Sequence, residues 1–210
     1  MNGWLYDAIV SIGERGFLGA IRGELLSSIS GEIVELGAGT GLTFAYYGSQ
    51  AHVRAIEPDR SMLARAKGRA SQSRARIDLI QGDDAILDTW PPESADYAVA
   101  ALVLCSADDP LRTLRRLYRI LKPKGRLITI EHVRAGDASA RLQDWLTPFW
   151  RRIAANCHLN RVLEPQLHDA GFEDLQLKSR PVPPPLRRLV YGYAAKSTRE
   201  RPAGECARVT

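Results

Sequence analysis

The run Val34-Glu35-Leu36-Gly37-Ala38-Gly39-Thr40-Gly41 constrains the fold more than any other stretch of the chain. A short β-rich segment, Glu32–Leu36, stops abruptly in glycines at three alternate positions. Glycine tolerates positive φ and lets backbone approach a ligand closely. A helix beginning just after such a turn offers unpaired N–H groups. Strand, tight turn and helix is therefore the expected opening unit, and the rest of the chain repeats the alternation. His52–Ile56 reads as a second strand, stopped by Glu57-Pro58-Asp59, where Asp59 caps a helix bearing Met62, Leu63 and Ala66 on one face. Ile77–Gln81 reads as a third strand closed by Gly82-Asp83. The apolar run Asp96–Leu104 reads as a central strand buried on both faces. Asp109-Pro110 starts a helix whose stripe is Leu111, Leu114, Leu117 and Leu121, with Arg112, Arg115, Arg116 and Arg119 facing away. Lys122-Pro123-Lys124-Gly125 breaks it before a fifth strand, Arg126–Glu131. Residues 138–163 are expected to form one or two helices over the sheet. A helix over Leu163–Ala170 ends at Gly171, and Phe172–Leu177 and Val190–Ala195 are late strands joined by the extended Pro181–Pro185 segment.

A length of 210 residues suits one domain with extensions, and 45% hydrophobic against 25% charged residues is ordinary for a folded chain. We expect a single domain over residues 1–196 and a frayed tail over 197–210. Cys105, Cys157 and Cys206 contain no CxxC spacing, which argues against a disulfide framework and points to a reducing compartment. No pair of His, Cys or carboxylate residues has a recognisable ligand spacing, so no metal site is expected. The longest apolar run, Tyr97–Cys105, is far too short to span a bilayer, and the N-terminus lacks the pattern of a signal peptide. The expected location is cytoplasmic. The net charge of +5 would favour an anionic surface without specifying one.

Four positions carry chemistry. The third glycine of a dinucleotide fingerprint falls three residues after the second; here Leu42 stands there and the glycine comes one residue early, at Gly41. Glu57, at the carboxyl end of the second strand, can accept hydrogen bonds from both hydroxyls of a ribose, or simply precede a turn. Asp83-Asp84-Ala85 can read an adenine edge or cap a helix. Glu35, just before the glycine turn, would repel a pyrophosphate but suits a ligand carrying an ammonium or sulfonium. Among nucleoside cofactors that description fits S-adenosylmethionine rather than NAD.

Taken in order, Glu35–Gly41, Glu57-Pro58-Asp59, Asp84-Ala85, Asp96 with its strand, and Leu121–Leu127 resemble the class I S-adenosylmethionine-dependent methyltransferases, most nearly the methyltransferase-11 branch. The likeness is strongest over residues 30–133. It implies a Rossmann-like α/β fold: a mainly parallel seven-stranded sheet flanked by helices, with a small helical lid. N-terminal helices over residues 1–29, including Tyr6-Asp7, would close over the cofactor, and residues 134–189 would form the acceptor side. By this resemblance Glu35, Gly37, Ala38, Gly39 and Thr40 hold the methionine part of S-adenosylmethionine, and later of the product S-adenosylhomocysteine. Glu57 takes the ribose, Pro58 and Met62 flank the adenine, Asp84 and Ala85 read its edge, and Leu102 borders the reacting methyl. A narrower likeness joins Leu102–Ser106, Glu131-His132-Val133, Pro148 with Trp150, Cys157–Arg161 and Tyr191–Ala194 to the methyltransferase-like seven group, which are membrane-associated thiol S-methyltransferases.

That likeness implies a small, apolar acceptor, with a thiol favoured. Phospholipid amines and quinone carbons are alternatives, as is a non-catalytic S-adenosylmethionine-binding regulator. Nucleic acid is not expected as a partner. His132, at the end of the fifth strand, is the expected base or substrate orienter, and His158 the second candidate. Direct transfer from a sulfonium needs no covalent enzyme intermediate, so Cys105 and Cys157 are expected to be packing residues. Trp145, Phe149, Trp150, Arg151 and Arg152 are expected to form an apolar and basic lid that touches lipid headgroups, or else to pack on the sheet edge.

Overall fold

The structure, a computed structural model, describes residues 14–197. Seven strands form one sheet: β1 (Gly31–Leu36), β2 (Ala51–Glu57), β3 (Arg76–Gln81), β4 (Ala95–Ala101), β5 (Leu121–Val133), β6 (Phe172–Pro181) and β7 (Arg188–Lys196). Their order is β3-β2-β1-β4-β5-β7-β6. The first five are parallel, and β7 runs antiparallel to both β5 and β6. Chain order reverses between β1 and β4. Open α/β sheets bind ligands at such a switch point, beyond the carboxyl ends of the strands.

Helices cover both faces: α1 (Gly19–Leu26), α2 (Arg60–Ala70), α3 (Pro110–Ile120), α4 (Ser139–Ile153) and α5 (Glu164–Ala170). Alternation along each strand divides the core in two. Val34, Leu36, Ile56, Ala98 and Leu127 pack against α3 and α5 through Leu114, Leu117, Ile120 and Leu167. Ile33, Val53, Ala55, Val99 and Ile128 pack on the other face against Ile21, Leu25 and Leu26 of α1, with Phe44, Tyr47 and Ala66. The helix starts are set by side chains. Asp59 accepts from the N–H groups of Ser61 and Met62, and Asp109 from that of Arg112, with Pro110 in the first turn. At the amino end of the sheet, Asp96 accepts from the Glu32 N–H at 2.8 Å and from Lys122 Nζ at 2.7 Å, tying β4 to β1 and β5.

Three expectations are corrected. The glycine turn does not open a full helix: Leu42–Tyr46 is a single 3₁₀ element. Residues 42–50 must return to β2 at Ala51, and Thr43 and Tyr47 turn their hydroxyls onto Glu35. Arg116 does not face away. It is buried, with Nη1 2.8 Å from Asp84 and Nη2 2.6 Å from Asp88, because those two carboxylates lie over α3. Finally, β5 begins at Leu121, which pairs with Ala95; the expected break at residues 122–125 bulges out before Arg126 resumes the pairing with Tyr97. No described helix is long and apolar enough to cross a membrane.

Candidate active site

The glycine turn sits at the carboxyl end of β1, and its three glycines do different work. A Cβ on Gly37 would lie 2.4 Å from Val103 Cγ2, so β1 and the segment after β4 approach as only glycine allows. A Cβ on Gly41 would strike the Phe44 ring at 2.6 Å and reach the Ala66 backbone at 3.3 Å, which gives Gly41 the close-packing duty against a helix. Gly39 differs. Its φ is +58°, yet an added Cβ would meet nothing nearer than 4.0 Å. The turn is thus packed on two sides and open on the third.

Glu35 points from β1 beneath this turn. Its carboxylate is buried and accepts from Thr43 Oγ1 at 2.6 Å and Tyr47 Oη at 2.8 Å. Burial raises its pKa to about 7, against the pull of these two hydroxyls and of the Arg22 charge. Glu35, Arg22, Gly37, Ala38, Thr40, Leu42, Thr43 and Ala101 line a small cleft beneath the turn. Arg22 brings α1 into that lining. The Ala38 N–H donates to Ile56 O at 3.0 Å, and Thr40 is buried with its carbonyl accepting from Arg69 at 2.6 Å.

Glu57 ends β2 beside the turn. Its two oxygens accept from the N–H groups of Gly39 and Asp59, each at 2.8 Å. Burial pushes its pKa up despite these bonds. Each oxygen keeps lone-pair capacity for a further donor. Pro58 is exposed next to it, and Met62 is buried in the first turn of α2. After β3, Asp83 caps the 3₁₀ element Asp84–Thr89 through the Ala85 N–H. Asp84 turns the other way: its Oδ2 accepts from Thr113 Oγ1 at 2.5 Å and from Arg116. The expectation that Asp84 reads an adenine edge therefore meets a carboxylate half engaged by α3, while Ala85 stays exposed at the rim. Tyr6 lies outside the described residues.

Leu102 marks the passage from the glycine-turn end to the other half of the crevice. It has φ +60°, and its N–H donates to Ile130 O at 2.7 Å. The next three N–H groups, of Val103, Leu104 and Cys105, converge on the buried carboxylate of Glu131 at 2.8, 2.8 and 3.3 Å. Burial lifts Glu131 to about pKa 7 while the N–H groups lower it. Sequence reasoning quoted Glu131 only within a resemblance and missed this role. A carboxylate at a strand end beside an apolar loop is the signal that pointed to it.

The largest surprise is at Cys105, His132 and Cys157, whose donor atoms all lie within 4.8 Å of one another. His132 Nε2 is 2.9 Å from Cys157 Sγ, and Trp150 Nε1 donates to the same sulfur at 3.3 Å. Hydrogen bonds from Cys105 and then from His132 hold the Cys157 thiol well below its usual pKa, and the bond to Cys157 together with burial pushes Cys105 up. The cysteines are expected to pack, and Cys105 is indeed buried, but they also stand with His132 in one grouping of metal-ligand type; residues 105 and 157 follow β4 and α4 while 132 lies at the end of β5, so no sequence spacing joins them. His158 stands beside them, its Nδ1 3.2 Å and its N–H 2.8 Å from the Cys105 carbonyl. Burial and then the Arg161 charge lower its pKa. Along α4, Leu142, Trp145, Phe149 and Ile153 are all more than half exposed, so the aromatic segment does not pack on the sheet edge.

A family model described as a methyltransferase domain matches residues 34–129. Human thiol S-methyltransferase TMT1B is 30% identical over 187 residues, covering 85% of this chain and 74% of that protein. Human thiol S-methyltransferase TMT1A is 31% identical, covering 78% and 70%. The chain belongs to the class I S-adenosylmethionine-dependent methyltransferases. The rat TMT1B match, at 31% identity, spans 66% of that protein, so the chain is shorter than these relatives. Solved structures agree on the fold of this methyltransferase. An S-adenosylmethionine-dependent methyltransferase from Thermotoga maritima superimposes with a TM-score of 0.60 at 22% identity, covering 91% of this chain and 98% of that one. The [4+2]-cyclase SpnF gives 0.60 at 24%, covering 77% and 58%, and a cyclase is not a methyltransferase. The shared fold is thus a frame, and the relatives carry the assignment to methyltransferases. The family implies S-adenosylmethionine as cofactor. The open Gly39 face, the ionisable Glu35 and the spare acceptor capacity of Glu57 fit it.

Proposed function

We propose that this methyltransferase moves a methyl group from S-adenosylmethionine to a small, apolar thiol. The observation that carries the reading is its kinship with proteins named thiol S-methyltransferases over most of its length. The crevice chemistry supports it. Glu35 and the turn formed by Gly37, Ala38, Gly39 and Thr40 hold the methionine part, with the carboxylate answering the cofactor's ammonium. Glu57 accepts from the ribose hydroxyls. Pro58 and Met62 flank the adenine, and Asp84 and Ala85 stand at its edge. Leu102 borders the methyl. The helix before β1, α1, closes over the cofactor, an idea supported by Arg22 in the lining of the cleft.

A sulfonium methyl is already activated, because its leaving group is a neutral thioether. The protein has to hold the sulfur nucleophile in line and keep water out. A thiol with a pKa of about 8.5 needs only a weak base, and the acceptor end supplies His132, with His158 lining the same side. The thiol proton passes to His132, the sulfur forms its bond to the methyl carbon, and S-adenosylhomocysteine leaves neutral at sulfur. We place the enzyme in the cytoplasm, in keeping with its sparse cysteines, with α4 resting on a membrane surface. The exposed row Leu142, Trp145, Phe149 and Ile153 supports that contact, flanked by exposed Arg141, Arg151 and Arg152. Anionic vesicles at low salt should sediment the wild type and leave Trp145→Ser/Phe149→Ser in solution; equal sedimentation removes the membrane part.

Calorimetric titration with S-adenosylmethionine, S-adenosylhomocysteine and NADH tests the cofactor: binding of the first two and not the third is expected. A labelled-methyl screen over small thiols, lipid amines and quinols then reads the acceptor. Label on an amine or a quinol alone would overturn the thiol, and cofactor binding with no labelled product would make the chain a regulator.

A further inference from the structure

We propose that Cys105, His132 and Cys157 form a binding site for a soft metal ion of the Zn²⁺ class. Two sulfurs and one imidazole nitrogen within 4.8 Å of one another are a borderline-soft donor set. In a tetrahedral Zn²⁺ site with bonds of about 2.0–2.3 Å, such donors stand roughly 3.5–3.8 Å apart, so shifts of well under an ångström per side chain suffice. Hard-ion chemistry does not compete: the nearest carboxylate, Glu131, is occupied by three backbone N–H groups.

The surroundings are built as metal sites are. The Cys105 backbone is fixed twice, its N–H by Glu131 and its carbonyl by the N–H of His158. The Trp150 indole N–H already donates to Cys157 Sγ, the kind of contact that orients a metal thiolate. Cys105 and His132 are each only 3% exposed, so an ion there would be shielded from competing water. The three ligands come from the segments following β4 and α4 and from the end of β5. A metal there would clamp the acceptor-side helix to the sheet.

The assignment stands apart from the thiol reaction. With Nε2 bound to a metal, His132 cannot take a proton through that nitrogen, so the two uses exclude each other on one chain at one time. The test uses the full chain, stripped with a chelator under reducing conditions. Zn²⁺ titrated against a chromophoric chelator should load one ion per chain. Co²⁺ should give thiolate-to-metal charge-transfer absorption in the near ultraviolet with intense tetrahedral visible bands. Cys157→Ser and Cys105→Ser should each weaken Zn²⁺ binding roughly tenfold or more. Zn²⁺ should raise the thermal midpoint of the wild type and not of these variants. Should a variant fail to fold, wild-type protein answers alone: Zn²⁺ should protect two thiols from a thiol-specific reagent. Co²⁺ spectra without thiolate bands, or unprotected thiols, overturn the site. S-adenosylmethionine calorimetry on the same stripped protein reports the proposed function separately, since the cofactor cleft shares none of the three ligands.

Discussion

The two halves of the crevice are built on different plans. At the ends of β1 and β2, the groups proposed to meet the cofactor come from short continuous stretches, and backbone makes many of their contacts. The Gly39 N–H ties the Gly37–Gly41 turn to Glu57, and the Asp59 N–H holds the same carboxylate from within Glu57–Asp59. At the ends of β4 and β5, the construction is by side chains from distant segments: Glu131 pins residues 103–105, and His132 meets Cys157. A half made of local backbone geometry should fail when a single backbone position is altered. A half made of converging side chains should lose activity while the cofactor still binds.

The largest effect should come from Gly37→Ala. The new Cβ would enter Val103 at 2.4 Å at a residue with φ +67°. Overpacking and left-handed strain together should cost about 2–5 kcal/mol in urea unfolding. Gly39→Ala has the strain without the collision, so its loss should be smaller in unfolding and larger in cofactor affinity. Equal unfolding losses would show that the turn is uniform. Next, Glu57→Ala removes a charged acceptor from two N–H groups and from the ribose. Cofactor affinity by calorimetry should fall by roughly 1.5–4 kcal/mol; unchanged affinity would move the ribose elsewhere.

The pH dependence of stability sharpens the contrast from inside the cofactor half. The pKa of Glu35 rises from 4.5 unfolded to about 7 folded, so the native state binds its proton more tightly. The stability from this group is complete below pH 4.5 and disappears as pH climbs through 7, about 3 kcal/mol in all. Glu35→Gln should flatten that decline in denaturation measured across the range, and bound S-adenosylmethionine should shrink it in the wild type by favouring the charged carboxylate. An identical slope in the variant would assign the decline to other groups. In the acceptor half, Glu131→Ala should destabilise by about 1–3 kcal/mol by stranding buried N–H groups. Turnover should drop further than S-adenosylmethionine affinity, and parallel losses would mean the two halves are coupled.

This division also explains what could be read before folding. Glu35, the glycines and Glu57 were legible because a strand end, a tight turn and a carboxylate lie next to each other in the chain. The strand ladder was legible for the same reason: each strand carries its own apolar run and its own stop. Asp84 was only half legible: its sequence context, a strand end before Ala85, is that of a ligand contact, and nothing near it in the chain announces that Arg116 on α3 claims one of its oxygens. Arg116 itself was assigned to solvent by helical periodicity, which says nothing of carboxylates brought over from residues 84 and 88. Cys105 and Cys157 were beyond reach for a stronger reason. Their meeting depends on where α4 and the turn after it come to rest on the sheet, and no local pattern encodes that.

The antiparallel placement of β7 has a consequence for the order in which the molecule is made. Until residues 188–196 leave the ribosome, β5 presents an open flank of unpaired N–H and C=O groups to anything nearby. It is a long strand, buried from Leu127 to Val133 once complete. The nascent chain must carry this adhesive edge throughout synthesis of α4, α5 and β6, until the final strand slots between β5 and β6 and seals it.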